Sequence, residues 1–126
     1  MRRIAVILIG FLGCGCGTKP QAPATVEGTV RFLGRPLAGG MVVFTPDRDR
    51  GTTGKPIAAE VLADGRYELP SSILAAGWYR VSISDPPAFH SGFPATLRRP
   101  DRSGLSREIH PGRDHRYDFH IDAAGR

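Results

Sequence analysis

Cysteine is nearly absent from this chain of 126 residues. Only Cys14 and Cys16 occur, spaced Cys-x-Cys near the amino end. No later cysteine, and no histidine close to them in sequence, completes a zinc pattern. A disulfide inside a downstream domain is therefore excluded, and strand pairing and packing must hold that domain. Lysine is equally scarce, at 2 Lys against 15 Arg. The formal net charge of +5 falls to +3 once Arg2 and Arg3 leave with the first 13 residues. That is an ordinary solvated surface rather than a basic footprint, and no nucleic-acid partner is expected. Long helical periodicity is missing too. Instead, 16 Gly and 11 Pro punctuate short alternating runs, the composition of strands joined by turns. A chain of this length predicts one domain.

What the amino end does have is an export pattern. Arg2-Arg3 is a short basic region, and Ile4 to Leu12 is an apolar run. That run is too short to span a bilayer, which takes about 20 residues. It reads as a signal segment over residues 1–13. It ends in Phe11-Leu12-Gly13-Cys14, which resembles the bacterial lipoprotein signal, where a small residue precedes the cysteine to be lipidated. Phe11 stands where that signal usually has leucine, and Cys16 is the alternative acceptor. Several acyl chains, at about 0.8 kcal/mol per buried CH₂, hold a protein on a membrane essentially permanently. The expectation is a lipid anchor on Cys14 and an envelope location. Residues 14–24, with Pro20 and Pro23 and no apolar periodicity, read as a flexible tether.

From Thr25 the chain alternates. Val26, Gly28, Val30 and Phe32 share one face, with Glu27, Thr29 and Arg31 on the other. A turn at residues 33–37 leads to a second strand with Gly40, Val42 and Phe44 inward, ended by Pro46. Asp47 to Gly51 contains Asp-x-Asp beside glycine, but the further acidic ligands of a calcium loop are missing. It reads as an exposed loop of alternating charge. Residues 57–61 form a third strand. Asp64-Gly65 is a hairpin turn pair, followed by Tyr67 and Leu69 inward. Residues 71–76 suit one helical turn. In 77–83, Tyr79, Val81 and Ile83 face in, and Trp78, Arg80 and Ser82 face out. Strands with this chemistry suit the middle of an antiparallel sandwich.

The order Val26-Glu27-Gly28-Thr29-Val30, Gly34-Arg35-Pro36-Leu37, Val42-Val43-Phe44-Thr45-Pro46, Asp64 to Tyr67 and Gly77 to Ile83 resembles the carboxypeptidase regulatory-like domain, also called transthyretin-like or prealbumin-like. That domain occurs in small envelope lipoproteins, notably of planctomycete-type bacteria. The resemblance covers about Thr25 to Ile121. It implies an all-β, seven-stranded antiparallel Greek-key β-sandwich over residues 25–122, with a tail at 123–126. It implies no chemistry, because in carboxypeptidases this domain is a non-catalytic appendage.

The second half is irregular from Asp85 to about Ser103, and Phe89, Phe93 and Leu97 lie within it. They either pin the loop over one end of the sandwich or form a recognition surface. Leu105 and Ile109 suit a strand in which Arg107 sits inward at a sheet edge. Tyr117, Phe119 and Ile121 point in from a last strand. His110, His115 and His120 match no metal spacing, so no metal or other cofactor is expected. Two enzyme classes of prealbumin-like architecture fit poorly. Tyr67, Tyr79 and Tyr117 fall on inward faces rather than forming an iron set with histidines, and the carboxyl end lacks Tyr-Arg-Gly-Ser. The expectation is a non-enzymatic envelope lipoprotein. The alternative is a module for a glycan or peptide, or for an envelope protein, using exposed aromatics and the loop at 86–100, with Trp78, Arg80, Phe89 and Phe93 as the candidate ligand-binding residues.

Overall fold

The computed structural model describes residues 24–70, 74–86 and 92–122. The signal segment, Cys14, Cys16, most of the tether, Phe89 and the tail lie outside them. The proposed helical turn lies partly outside them, at residues 71–73.

Nine strands are found among the described residues: β1 (Thr25–Phe32), β2 (Arg35–Pro36), β3 (Met41–Pro46), β4 (Ile57–Glu60), β5 (Arg66–Leu69), β6 (Gly77–Ser84), β7 (Leu105–Ile109), β8 (Asp114–Arg116) and β9 (Phe119–Ile121). They form two sheets, the layering of a β-sandwich. In one, β4-β3-β6-β7 are all antiparallel. In the other, β1 is the hub: it pairs antiparallel with β2 and β5, and parallel with β8 and β9. The expectation of a wholly antiparallel sandwich is thus corrected. Parallel pairing needs a crossover rather than a hairpin. Here β1 and β8 are separated by almost the whole domain. The chain reaches β8 from β7 of the other sheet, so no tight turn dictates its direction against β1.

The alternation read from the sequence builds the core. Val26, Val30 and Phe32 of β1, Val42 and Phe44 of β3, Tyr67 and Leu69 of β5, and Tyr79, Val81 and Ile83 of β6 are all buried. Aromatic rings meet across this interior. Phe44 and Tyr79 have centroids 6.1 Å apart, and Tyr67 and Phe119 are also 6.1 Å apart. Tilted contacts at such distances suit the ring quadrupoles.

The seam between β1 and the last strands explains the glycine in Val-x-Gly-x-Val. Between β8 and β9 the ladder is interrupted at Tyr117 and Asp118. The Tyr117 N–H donates to the Glu27 carbonyl at 2.9 Å. The Tyr117 carbonyl turns inward and accepts the Tyr67 hydroxyl at 2.6 Å. The ladder acceptor lost there is replaced by the Asp118 carboxylate, which takes the Thr29 N–H at 2.9 Å and the Thr29 hydroxyl at 3.0 Å. Partial burial pushes the Asp118 carboxyl up, but these two bonds and Arg116 outweigh it and hold it below the usual carboxylate range. A Cβ on Gly28 would overlap the inward Tyr117 carbonyl and press on the Tyr67 ring.

β8 was not expected as a strand, since Asp114-His115-Arg116 offers no apolar side chain. Its inward residue is His115, which is buried. The burial is tolerated because both ring nitrogens are engaged. Nε2 accepts the His110 N–H and Nδ1 meets the Thr25 carbonyl, each at 2.9 Å, which assigns the proton to Nδ1.

β7 is an edge strand, as Arg107 suggested. Its guanidinium lies 4.9 Å from the Phe119 ring centroid and 5.7 Å from that of Tyr117. It also donates to the Ser106 carbonyl at 2.8 Å, while the Tyr117 hydroxyl donates to the Glu108 carbonyl. Both edge carbonyls are occupied by side chains of the domain itself. An incoming strand finds them taken, which is how natural edges avoid pairing.

Candidate functional site

The candidate residues on β6 stand on the outward face of the β4-β3-β6-β7 sheet. Arg80 lies opposite Thr45 of β3 and Ser106 of β7, and Trp78 lies opposite Glu108. Beside them the chain leaves β3 and makes a 3-10 turn, Arg48–Arg50. The loop read as exposed is corrected at its first residue. Asp47 is 5% exposed, because its carboxylate has work inside the turn. It accepts the Asp49 N–H at 3.2 Å, a capping bond for an otherwise orphaned donor. It also lies 3.4 Å from Arg80 Nε and 3.7 Å from Arg50 Nε.

One buried carboxylate therefore aims two guanidinium groups. Arg50 is further fixed by lying over the Trp78 ring, 4.1 Å from its centroid. Arg80 reaches Asp49 at 2.7 Å through a second nitrogen. Asp49 is itself 81% exposed, so that second pair is a surface contact and Asp47 is the lasting partner. The loop is tied down beyond the turn by Thr52, whose hydroxyl accepts the Trp78 N–H at 2.9 Å and occupies the space a Cβ on Gly77 would need.

Two adjoining clefts, of about 330 and about 320 Å³, meet over Arg80. Both are lined by Asp47, Asp49, Arg80, Pro100 and Asp101. Thr45 and Arg48 extend one side, and Arg50 and Ser106 the other. The far wall comes from the long segment after β6. A second 3-10 turn, Ala95–Arg98, packs on β6, and Arg98 bonds Asp85 at 2.6 Å.

The sequence candidates divide as follows. Arg80 lies at the centre of the groove. Trp78 is half-buried, with Arg50 on its ring, and does not line the clefts. Phe93 is buried, with its ring centroid 5.5 Å from that of Phe32. It pins the loop on the core and presents no surface. Phe89 is outside the described residues. Asp47, Asp49, Arg50, Asp101 and Ser106 were not singled out. The signal for Asp47 and Arg50 was present: an N-capping Asp, Arg-Asp-Arg, then a glycine, Gly51, in the left-handed region at φ 82°.

Other polar groups serve the fold. The Tyr67, Tyr79 and Tyr117 hydroxyls each donate to a backbone carbonyl, of Tyr117, Ala75 and Glu108 respectively. Burial raises all three phenols above their ordinary value, Tyr67 the most. They remain hydrogen-bond donors through neutral pH. Among the described residues, no group of three or more His, Cys, Asp or Glu side chains is placed to hold a metal ion.

No protein-family model and no curated protein matches the chain. Solved structures do. The Bacillus anthracis TIE protein superposes with a TM-score of 0.53 at 16% identity, over 81% of this chain and 17% of that one. The chain thus spans about a sixth of that protein's length, and the likeness is one of fold: an all-β sandwich. Hydroxyquinol 1,2-dioxygenase from Pseudomonas putida DLL-E4 is similar at a TM-score of 0.40 and 15% identity, over 85% of this chain and 58% of that one. At that level it bears on neither fold nor chemistry.

Proposed function

We propose that the protein is a non-enzymatic envelope lipoprotein: a β-sandwich held on a membrane by acyl chains on Cys14, with a structural or binding role. The observation that carries this is the run from Arg2 to Cys14, basic, then apolar, then cysteine, followed by a proline-bearing stretch up to the first strand at Thr25. Acyl chains on the cysteine would supply the attachment; among the described residues no helix is long and apolar enough to cross a membrane. In the finer reading the sandwich is a seven-stranded Greek key of the carboxypeptidase regulatory-like type. β2 is then a two-residue extension of the β1–β3 connection, and β8 and β9 are one strand broken at Tyr117 and Asp118. Residues 1–13 are the signal, 14–24 the tether and 25–122 the domain.

The binding version draws support from the groove over Arg80. Among the described residues it draws none from an aromatic platform, because Arg50 covers a face of Trp78 and Phe93 is buried. Fractionation of cells carrying the protein tests the anchor. The wild type is expected to stay with membranes through a high-salt wash and to enter detergent, and Cys14→Ser to lose that behaviour. A wild type released by salt would overturn the anchor.

A further inference from the structure

We infer that the groove over Arg80 binds a carboxylate-bearing saccharide, with Arg80 and Arg50 taking the carboxylate. The inference deepens the binding version of the proposed function and is independent of the anchor.

The first argument is preorganisation. A guanidinium is flexible when free, and fixing it before a ligand arrives removes an ordering cost from binding. Asp47, buried and itself held by the Asp49 N–H, does this for two arginines together. The Trp78 ring, 4.1 Å from the Arg50 guanidinium, restrains Arg50 a second time. Asp47, Asp49 and Asp101 balance Arg48, Arg50 and Arg80 around the clefts, so a ligand carboxylate is taken by exchange with Asp49 and not by an excess of positive charge.

The second argument is the partner already in place. Arg80 holds the exposed carboxylate of Asp49 at 2.7 Å, in the geometry of a charge-assisted bond. Asp49 shows what chemistry this guanidinium accepts. It is also easy to displace, since an exposed pair contributes little. A ligand carboxylate takes its place while Asp47 keeps Arg80 in position.

The third argument separates a sugar from a peptide. The groove runs over the face of the sheet, where β3 and β7 are each paired to β6, so no strand can be added between them. Around the two guanidinium groups stand acceptors and hydroxyls: Asp101, Thr45, Ser106 and the freed Asp49. Guanidinium for an acid group beside carboxylates and hydroxyls for ring hydroxyls is the pattern a uronic-acid-type residue requires.

Trp78 is the only tryptophan and carries Arg50 on its ring, so its fluorescence reports the site. Full-length protein in detergent micelles would be titrated with an oligogalacturonate, its methyl ester and a glutamate hexapeptide. The expected result is saturable binding of the oligogalacturonate, at least tenfold weaker for the ester and for the peptide. Arg80→Gln is expected to weaken binding at least tenfold, with a melting transition recorded to show that it is folded. Asp49→Asn, at an exposed position that folding tolerates, is expected to tighten binding several-fold by removing the competitor. A groove that only holds the fold together predicts no such gain. The inference is overturned by no saturable change with the oligogalacturonate, by equal binding of the ester or the peptide, or by Asp49→Asn binding no tighter than wild type. None of these outcomes touches the lipid anchor, which is tested separately at the cysteines of the amino end.

Discussion

The Tyr67 hydroxyl donates to the Tyr117 carbonyl at 2.6 Å, directly above Gly28. This bond joins β5 to the break between β8 and β9 across the hub strand β1. It forms because the Tyr117 carbonyl has left the ladder and turned inward. Only a residue without a side chain fits beneath it.

Gly28→Ala places a methyl group on that carbonyl and against the Tyr67 ring. The expected loss is about 3 kcal/mol, the upper range for overpacking a core. Tyr67→Phe keeps the ring and leaves the Tyr117 carbonyl without its donor, an expected loss of about 1–2 kcal/mol. Urea unfolding checks both. A Gly28→Ala protein as stable as wild type would contradict the inward carbonyl.

The same burial predicts the alkaline behaviour. The folded-state value of the Tyr67 phenol is raised above its ordinary value, and those of Tyr79 and Tyr117 are raised as well. A raised value means that the proton is held more tightly in the folded state than in the unfolded one. The stabilisation is therefore fully present below the unfolded value of about 10 and is lost as pH rises through the folded values. Phenolate absorbance followed together with circular dichroism is expected to show little ionisation at the ordinary value. Ionisation of Tyr67 should coincide with loss of the fold. A Tyr67 phenolate forming in intact protein near the ordinary value would contradict this.

Arg107 covers Phe119 with its guanidinium and occupies the Ser106 carbonyl at the free edge of β7. Arg107→Leu keeps apolar cover and uncovers that carbonyl. It is expected to melt within about 1 kcal/mol of wild type, as other volume-conserving changes do, yet to self-associate more in light scattering. A variant no more prone to association than wild type would show that the edge is guarded by something else.

Asp47→Ala removes the cap of the 3-10 turn and the shared partner of Arg50 and Arg80. The expected loss is about 2 kcal/mol, from the cap and two weakened charge pairs. Trp78 emission should shift as Arg50 leaves its ring. Asp47→Asn, which keeps an oxygen for the Asp49 N–H, should lose less. Equal losses in the two variants would mean that charge, not the capping bond, dominates.

Much of the fold was legible because alternation has a period of two. Tyr79, Val81 and Ile83, and Tyr67 with Leu69, were assigned inward from their spacing and are buried. Arg107 was legible as an inward charge at an edge because it interrupts Leu105 and Ile109. Three features were hidden, two because polar side chains are buried and one because the pairing is long-range. His115 enters the interior through hydrogen bonds to residues at both ends of the domain. Asp47 is buried by a turn whose charges read as solvent-facing. The parallel seam of β1 with β8 and β9 rests on pairing between Thr25 and Asp114, which no local pattern signals. The groove was half legible. Arg80 was singled out, but Asp49, Asp101 and Ser106 come from segments that only the fold brings together.

The anchor decides where any ligand would be met, and the intact mass of the protein isolated from its native cells tests it most directly. The proposal predicts a chain beginning at Cys14 and carrying a diacylglyceryl adduct, which is absent from Cys14→Ser. An unlipidated mature chain, or one that still bears residues 1–13, would contradict it and leave a β-sandwich with a charged groove and no membrane attachment.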